Sequence, residues 1–120
     1  MRDKTMTAAQ AAALIRDGAT VAITGSGGGL VEPDAIFEAI ERRFRGGEGA
    51  ANLTLVHSLG VGDRNERGSN RFAHDGMVRR VIGGHWTWSP RMQALARDNR
   101  LEAYSLPGGV IAHLLREIGA

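Results

Sequence analysis

Apolar positions along the chain change period several times, from helical spacing to short β-branched runs and back. Thr7 and Gln10 form a capping-box pair, and residues 8–17 are rich in helix formers, with Leu14 and Ile15 on the apolar side until Gly18 stops the run. Residues 20–24 (Thr-Val-Ala-Ile-Thr) read as a first strand. After a glycine-dense turn, Pro33 and Asp34 open a helix whose apolar face is Ile36, Phe37, Ile40 and Phe44, with Glu38 and Arg42 paired outside. Residues 53–57 are a second strand, 58–69 a polar loop and 70–75 a short helix. Residues 78–82 make a third strand, Ser89 and Pro90 cap and open a helix to about residue 98, and 102–106 make a fourth strand. A last helix covers about 110–118. This alternation predicts an α/β fold: an open, mostly parallel sheet with helices on both faces. No repeat or linker divides residues 1–120.

Glycines follow three of the four strands. They stand at Gly25, Gly27, Gly28 and Gly29, at Gly60 and Gly62, and at Gly83 and Gly84. In a parallel sheet these turns line up along one edge and converge on a crevice. Glycine tolerates positive φ and brings backbone N–H groups close to an anion or carbonyl, and a following helix adds its positive dipole end. The competing reading is that each glycine only closes a tight turn. Three such turns together, with Ser26 and His85 inside them, make the candidate site.

Composition narrows the chemistry. The 120 residues form one domain, burying roughly two-thirds of the surface the unfolded chain exposes. Formal charge is only +2, and fourteen arginines and one lysine are scattered among thirteen acids, with 5% aromatics. Nucleic-acid binders instead cluster cations and interleave stacking rings, so nucleic acid is not an expected partner. With no cysteine there are no disulfides, thiolate nucleophiles or Cys-based zinc sites. No apolar run approaches the ~20 residues of a membrane span, and a soluble cytoplasmic protein is expected.

Several chemistries fail on spacing. A dinucleotide G-x-G-x-x-G needs glycine where Leu30 or Glu32 stands, and the second strand ends Val56-His57-Ser58 rather than in an acid, which leaves a nucleotide-binding oxidoreductase only a remote alternative. A P-loop needs a lysine, and the single one is Lys4. His57, His74, His85 and His113 lack metal-ligand spacing, so no metal is expected. His57 reads as a packed or hydrogen-bonded residue. Glu32 and Asp34 suit the helix N-terminus by charge, and Asp63 suits a turn.

Longer stretches carry a resemblance. Residues 13–21 (Ala-Leu-Ile-Arg-Asp-Gly-Ala-Thr-Val), Arg67-Gly68, residues 72–80 (Phe-Ala-His-Asp-Gly-Met-Val-Arg-Arg), Gly83-Gly84-His85-Trp86, Glu102-Ala103-Tyr104 and residues 113–118 (His-Leu-Leu-Arg-Glu-Ile) occur in an order that resembles the N-terminal segment of the acyl-CoA:acetate/3-ketoacid CoA-transferases, propionate CoA-transferase type. The resemblance implies a CoA-transferase-like fold, present as an incomplete domain, with residues 1–120 its N-terminal, alpha-type portion. It implies ping-pong transfer of CoA between an acyl-CoA and a short-chain carboxylic acid, through a glutamate that becomes acylated and then thioesterified. That glutamate belongs to the second half of the family's sequence, so no catalytic residue is assigned here and the isolated chain is expected to be inactive. Gly25, Ser26, Gly27, Gly28, Gly29, Gly60, Gly62, Gly83, Gly84 and His85 become the candidate CoA-binding or oxyanion loops. Coenzyme A enters as substrate, with no permanently bound cofactor. The implied partners are the rest of the transferase or a beta-type subunit, in an oligomer. A non-catalytic binding module of the same fold is the alternative. The first turn departs from the family's usual form by having Gly25-Ser26 early and Glu32-Pro33 at its exit.

Overall fold

The computed structural model describes residues 1, 3–25, 28 and 30–120. In chain order it contains α1 (Ala8–Ala12), β1 (Thr20–Ala22), α2 (Asp34–Arg45), β2 (Leu53–His57), a 3-10 turn (Ser69–Phe72), β3 (Val78–Gly83), α3 (Pro90–Arg97), β4 (Glu102–Ser105) and α4 (Gly108–Gly119). The four strands are parallel, in the order β1-β2-β3-β4. Each crossover therefore steps one place in the same direction. Right-handed connections then put α2, the 3-10 turn and α3 on one face, where they pack against one another. Helix α1 joins that face through α2, whereas α4, returning from the far edge, packs against β2.

Register shows how unequal the two faces are. Leu55 lies level with Val21 and Val81, and these side chains meet Phe37, Ile40, Phe72 and Met92 in the main core. Phe37 and Phe72 meet edge to face at 5.3 Å, an arrangement worth about 0.5–1.5 kcal/mol beyond area burial. The opposite face carries Val56, level with Ala22, Ile82 and, through Ile82, Tyr104. Val56 and Ile111 of α4 are buried yet stand outside the main core. Beyond them this face opens: every residue of β4 is exposed, Tyr104 by 48%. A cavity of about 250 Å³ lies there, lined by Arg80, Ile82, Tyr104 and Leu106. The apolar row Ile111, Leu114, Leu115 and Ile118 of α4 passes from buried at its start to exposed at Ile118.

Element boundaries differ from the sequence reading for local reasons. Helix α1 keeps its capping box, with Thr7 N–H bonded to Gln10 Oε1 at 2.8 Å and Gln10 N–H to Thr7 Oγ1 at 3.2 Å. It stops at Ala12 rather than near residue 17, because the Arg43 guanidinium takes the carbonyls of Ala12 (2.6 Å) and Ile15 (2.9 Å). The short helix expected over 70–75 is the 3-10 turn Ser69–Phe72. Ser89 precedes α3 as expected, but its hydroxyl turns inward to the Val61 carbonyl at 2.7 Å instead of capping the helix. Helix α4 begins at Gly108, directly after Pro107.

Candidate functional site

The carboxyl ends of β1, β2 and β3 are adjacent, since Ala22 pairs with Val56 and His57 with Gly83. The turns that follow them therefore share one edge of the sheet. Of the candidate residues, Gly25, Gly28, Gly60, Gly62, Gly83, Gly84 and His85 are placed there, while Ser26, Gly27 and Gly29 lie outside the described residues. The fourth turn joins them through Gly108. A Cβ on Gly84 would strike the Ser58 carbonyl and come within 3.3 Å of Gly108 Cα, so the second, third and fourth turns touch backbone to backbone.

Trp88 explains much of the glycine placement, and the sequence reading passed over it. A Cβ on Gly60 would collide with Trp88 Cδ1 and lie 2.5 Å from His85 Nδ1, while one on Gly62 would collide with the Trp88 carbonyl. Gly28, at φ +79°, would bring a Cβ 3.8 Å from Trp88 Cη2. The indole is thus the piece around which the first and second turns close. Arg64 from the second loop covers its ring at 4.4 Å, and the Arg64 N–H donates to the Trp88 carbonyl at 2.9 Å.

Buried polar groups lock this arrangement. The Val61 carbonyl accepts from the hydroxyls of Ser69 (2.6 Å) and Ser89 (2.7 Å), which also lie against each other. Asn70 Nδ2 donates to the carbonyls of Arg67 (3.0 Å) and Trp88 (3.1 Å). Gly62 and Gly68 form an antiparallel bridge that closes the neck of the second loop. Two carboxylates hold that neck: Glu32 Oε1 accepts from Gly62 N–H at 2.7 Å, and Asp34 Oδ1 from Gly68 N–H at 3.0 Å. Asp63 closes the loop tip by accepting from the N–H groups of Asn65 (2.8 Å) and Arg67 (3.0 Å). Gly84 N–H bonds to the His57 carbonyl at 3.0 Å. The N–H groups of Gly62 and Gly84 are therefore engaged within the protein, and contacts from these turns to a ligand fall to their neighbours.

Electrostatics follow from the same packing. Arg71 forks onto Asp34 (Nε to Oδ1 and Nη2 to Oδ2, both 2.9 Å) and reaches Glu41 Oε2 at 3.0 Å; Glu41 Oε1 meets His74 Nε2 at 2.7 Å. Burial pushes Asp34 up, but the Arg71 guanidinium and Gly68 N–H outweigh it, and the carboxyl sits below its ordinary value. Arg71 is raised in turn, chiefly by Asp34. His57 is only 3% exposed, and burial holds its imidazole below the usual histidine range, with nearby His85 adding to the effect. Its Nδ1 lies 2.7 Å from the Leu59 carbonyl, so Nδ1 carries the proton and donates. Among the described residues, no group of three or more His, Asp or Glu comes together in a way that could hold a metal. What the edge offers chemically is a rigid backbone platform beside an indole and two histidines.

The family model for coenzyme A transferases matches residues 5–120. The chain belongs to the coenzyme A transferase family. It is 35% identical over 115 residues to the acetate CoA-transferase YdiF of Escherichia coli K12, covering 96% of this chain and 22% of that protein. It is 36% identical over 118 residues to the caffeate CoA-transferase of Acetobacterium woodii, covering 98% and 22%. The structure of the acyl-CoA transferase YdiF of Escherichia coli O157:H7, in a thioester complex with CoA, superposes with a TM-score of 0.87 at 35% identity, over 92% of this chain and 23% of that one. The apoenzyme gives a TM-score of 0.88, over 93% and 22%. The chain thus spans about 22% of the length of the curated relatives it matches.

Proposed function

We propose that this chain is the N-terminal, alpha-type portion of a transferase that moves CoA between an acyl-CoA and a short-chain carboxylic acid. In this reading a glutamate carboxylate outside the chain attacks the acyl-CoA carbonyl, forming an enzyme acyl anhydride and releasing CoA thiolate. The thiolate then attacks the glutamyl carbonyl, giving a glutamyl-CoA thioester and freeing the first acid. The second acid reverses both steps and leaves as its CoA ester. The glycine turns at residues 25–29, 60–62 and 83–85 line the CoA-binding and oxyanion side, where a backbone donor is worth roughly 3–4 kcal/mol of transition-state stabilisation. Coenzyme A is a substrate, no cofactor is held permanently, and the reaction runs in the cytoplasm.

The observation that carries this reading is the meeting of four strand-end turns at one sheet edge, in a chain of this family. The bare sheet face at Ile82, Tyr104 and Leu106 supports the expectation that the remaining portion of the transferase, or a beta-type subunit, packs here to make an oligomer. The test is to mix the purified chain with acetyl-CoA or propionyl-CoA and an acceptor acid, with and without the nucleophile-bearing portion. Transfer is expected only with both. Turnover by the chain alone would overturn the placement of the nucleophile outside it. Inactivity of the combined preparation with every short-chain donor would favour a non-catalytic binding module.

A further inference from the structure

Glu32 and Asp34 flank Pro33 at the start of α2, and both reach across to the neck of the second loop, yet they are held differently. Asp34 is clamped by the Arg71 fork at 2.9 Å on both oxygens. Glu32 leaves the first glycine turn and places Oε1 on Gly62 N–H at 2.7 Å. The neck is tight. Gly62 has φ +143° and Gly68 φ +66°, and a Cβ on Gly68 would lie 2.6 Å from Glu32 Oε2 and 2.5 Å from Gly62 Cα. From that neck the loop runs out to Arg64, which covers the Trp88 ring at 4.4 Å and bonds to its carbonyl. A continuous chain of contacts therefore leads from the first turn to the second loop and on to the indole of the third turn.

We infer that Glu32 is a positioning residue: by fixing Gly62 it sets the height of the second loop, and through Arg64 it sets the Trp88 ring against which the glycine turns close. This rests on the CoA-transfer reading only for its effect on rate; the effect on the loop does not depend on that reading. The acceptor oxygen is what matters. A glutamine at this position keeps such an oxygen, and an alanine does not. Asp34 is the structural counterpart, since its loss also takes two of the three carboxylate bonds from Arg71.

The experiment compares Glu32→Ala, Glu32→Gln and Asp34→Asn. In the 120-residue chain, amide exchange at Gly62 is followed by NMR, and the Trp88 emission is read in a Trp86→Phe background. Glu32→Ala is expected to speed Gly62 exchange by about tenfold or more and to red-shift Trp88, with a smaller loss of Tm than Asp34→Asn. Glu32→Gln is expected to restore both readouts to near wild type. In the chain combined with the nucleophile-bearing portion, Glu32→Ala is expected to lower kcat by about tenfold while KM for the acyl-CoA changes less than threefold, again with rescue by glutamine. Unchanged Gly62 exchange and Trp88 emission in Glu32→Ala overturn the inference, as does a loss of kcat that glutamine fails to rescue. If Glu32→Ala does not fold, Glu32→Gln decides alone, because Gly62 exchange more than tenfold faster than wild type would refute the acceptor role. A wild-type combination that transfers no CoA overturns the function reading, while the exchange and emission results still judge Glu32.

Discussion

Arg71 is the side chain whose removal should cost the described fold most outside the apolar core. Its side chain is 18% exposed, Asp34 is 25% and Glu41 13% exposed, so all three charges are largely withdrawn from water. Arg71→Met keeps most of the volume but removes three charge-assisted hydrogen bonds of 2.9, 2.9 and 3.0 Å. Breaking a fully buried pair by deleting one partner costs about 3–5 kcal/mol. The residual exposure here screens part of that, and about 2–4 kcal/mol is expected. For a domain of this size that lowers Tm by roughly 8–16 °C. The pH profile carries the signature. Asp34 has a folded-state pKa below its unfolded value of 3.8, so the unfolded chain binds more protons in that window. The stabilisation is complete above about pH 4 and is lost as pH falls through the folded value. Without Arg71 the burial of Asp34 remains and its main compensation goes, so acid no longer removes a stabilising pair from Arg71→Met, and its deficit relative to wild type should narrow as pH falls toward 3. Arg71→Lys keeps the charge but not the planar fork and should recover about half the loss. Urea denaturation between pH 3 and 7 measures all three proteins. An Arg71→Met variant within about 0.5 kcal/mol of wild type across that range would refute the reasoning.

Four further outcomes are expected. His57 has a folded-state pKa below 6.5, so its neutral burial contributes full stability above about pH 6.5 and loses it as pH falls below that; His57→Gln should flatten the stability difference between pH 7.5 and 5.0 in urea melts. Gly60→Ala drives a Cβ into Trp88 and His85 and should cost about 1–3 kcal/mol with a shift in tryptophan emission, whereas Gly109→Ala, with open space around it inside α4, should be neutral or stabilising by up to about 1 kcal/mol. Thr54 Oγ1 is buried with no hydrogen-bond partner among the described residues, so Thr54→Val should hold or raise stability by about 1 kcal/mol. Tyr104, the only tyrosine, is 48% exposed and should be nitrated readily by tetranitromethane in the isolated chain; protection on adding the nucleophile-bearing portion would show by mass spectrometry that this face becomes covered.

Strand identity and parallel order were legible because β-branched runs alternate with helical periods, and the shared edge was legible because glycines follow three of those runs. Residues 53–57 are legible to their bounds because both faces of β2 are buried and the run Leu53-Thr54-Leu55-Val56 is apolar or β-branched throughout. The extent of α1 was not legible: Leu14 and Ile15 continue a helical pattern, and only Arg43, distant in sequence, supplies the donors that let the backbone turn away. Tertiary partners also redirected the polar residues. Ser89 has the composition of a cap, but the Val61 carbonyl sits within its reach. Glu32 and Asp34 suit a helix start by charge, but their bonds to Gly62 and Gly68 depend on a loop some thirty residues away. His74 and Asp75 are sequence neighbours, yet His74 meets Glu41 while Asp75 pairs with Arg100. Trp88 gave a weak hint, an aromatic beside a glycine turn, but its role rests on three turns closing around one ring.

The strand order β1-β2-β3-β4 has a consequence for biosynthesis. Each strand pairs with the one made just before it, so the sheet can grow by adding one edge at a time as the polypeptide leaves the ribosome, without waiting for a distant segment to close a gap. The helices α2 and α3 arrive between strands and cover the same face as they emerge. A nascent chain of this topology can therefore organise its glycine-lined edge early, while the segments that follow are still being made.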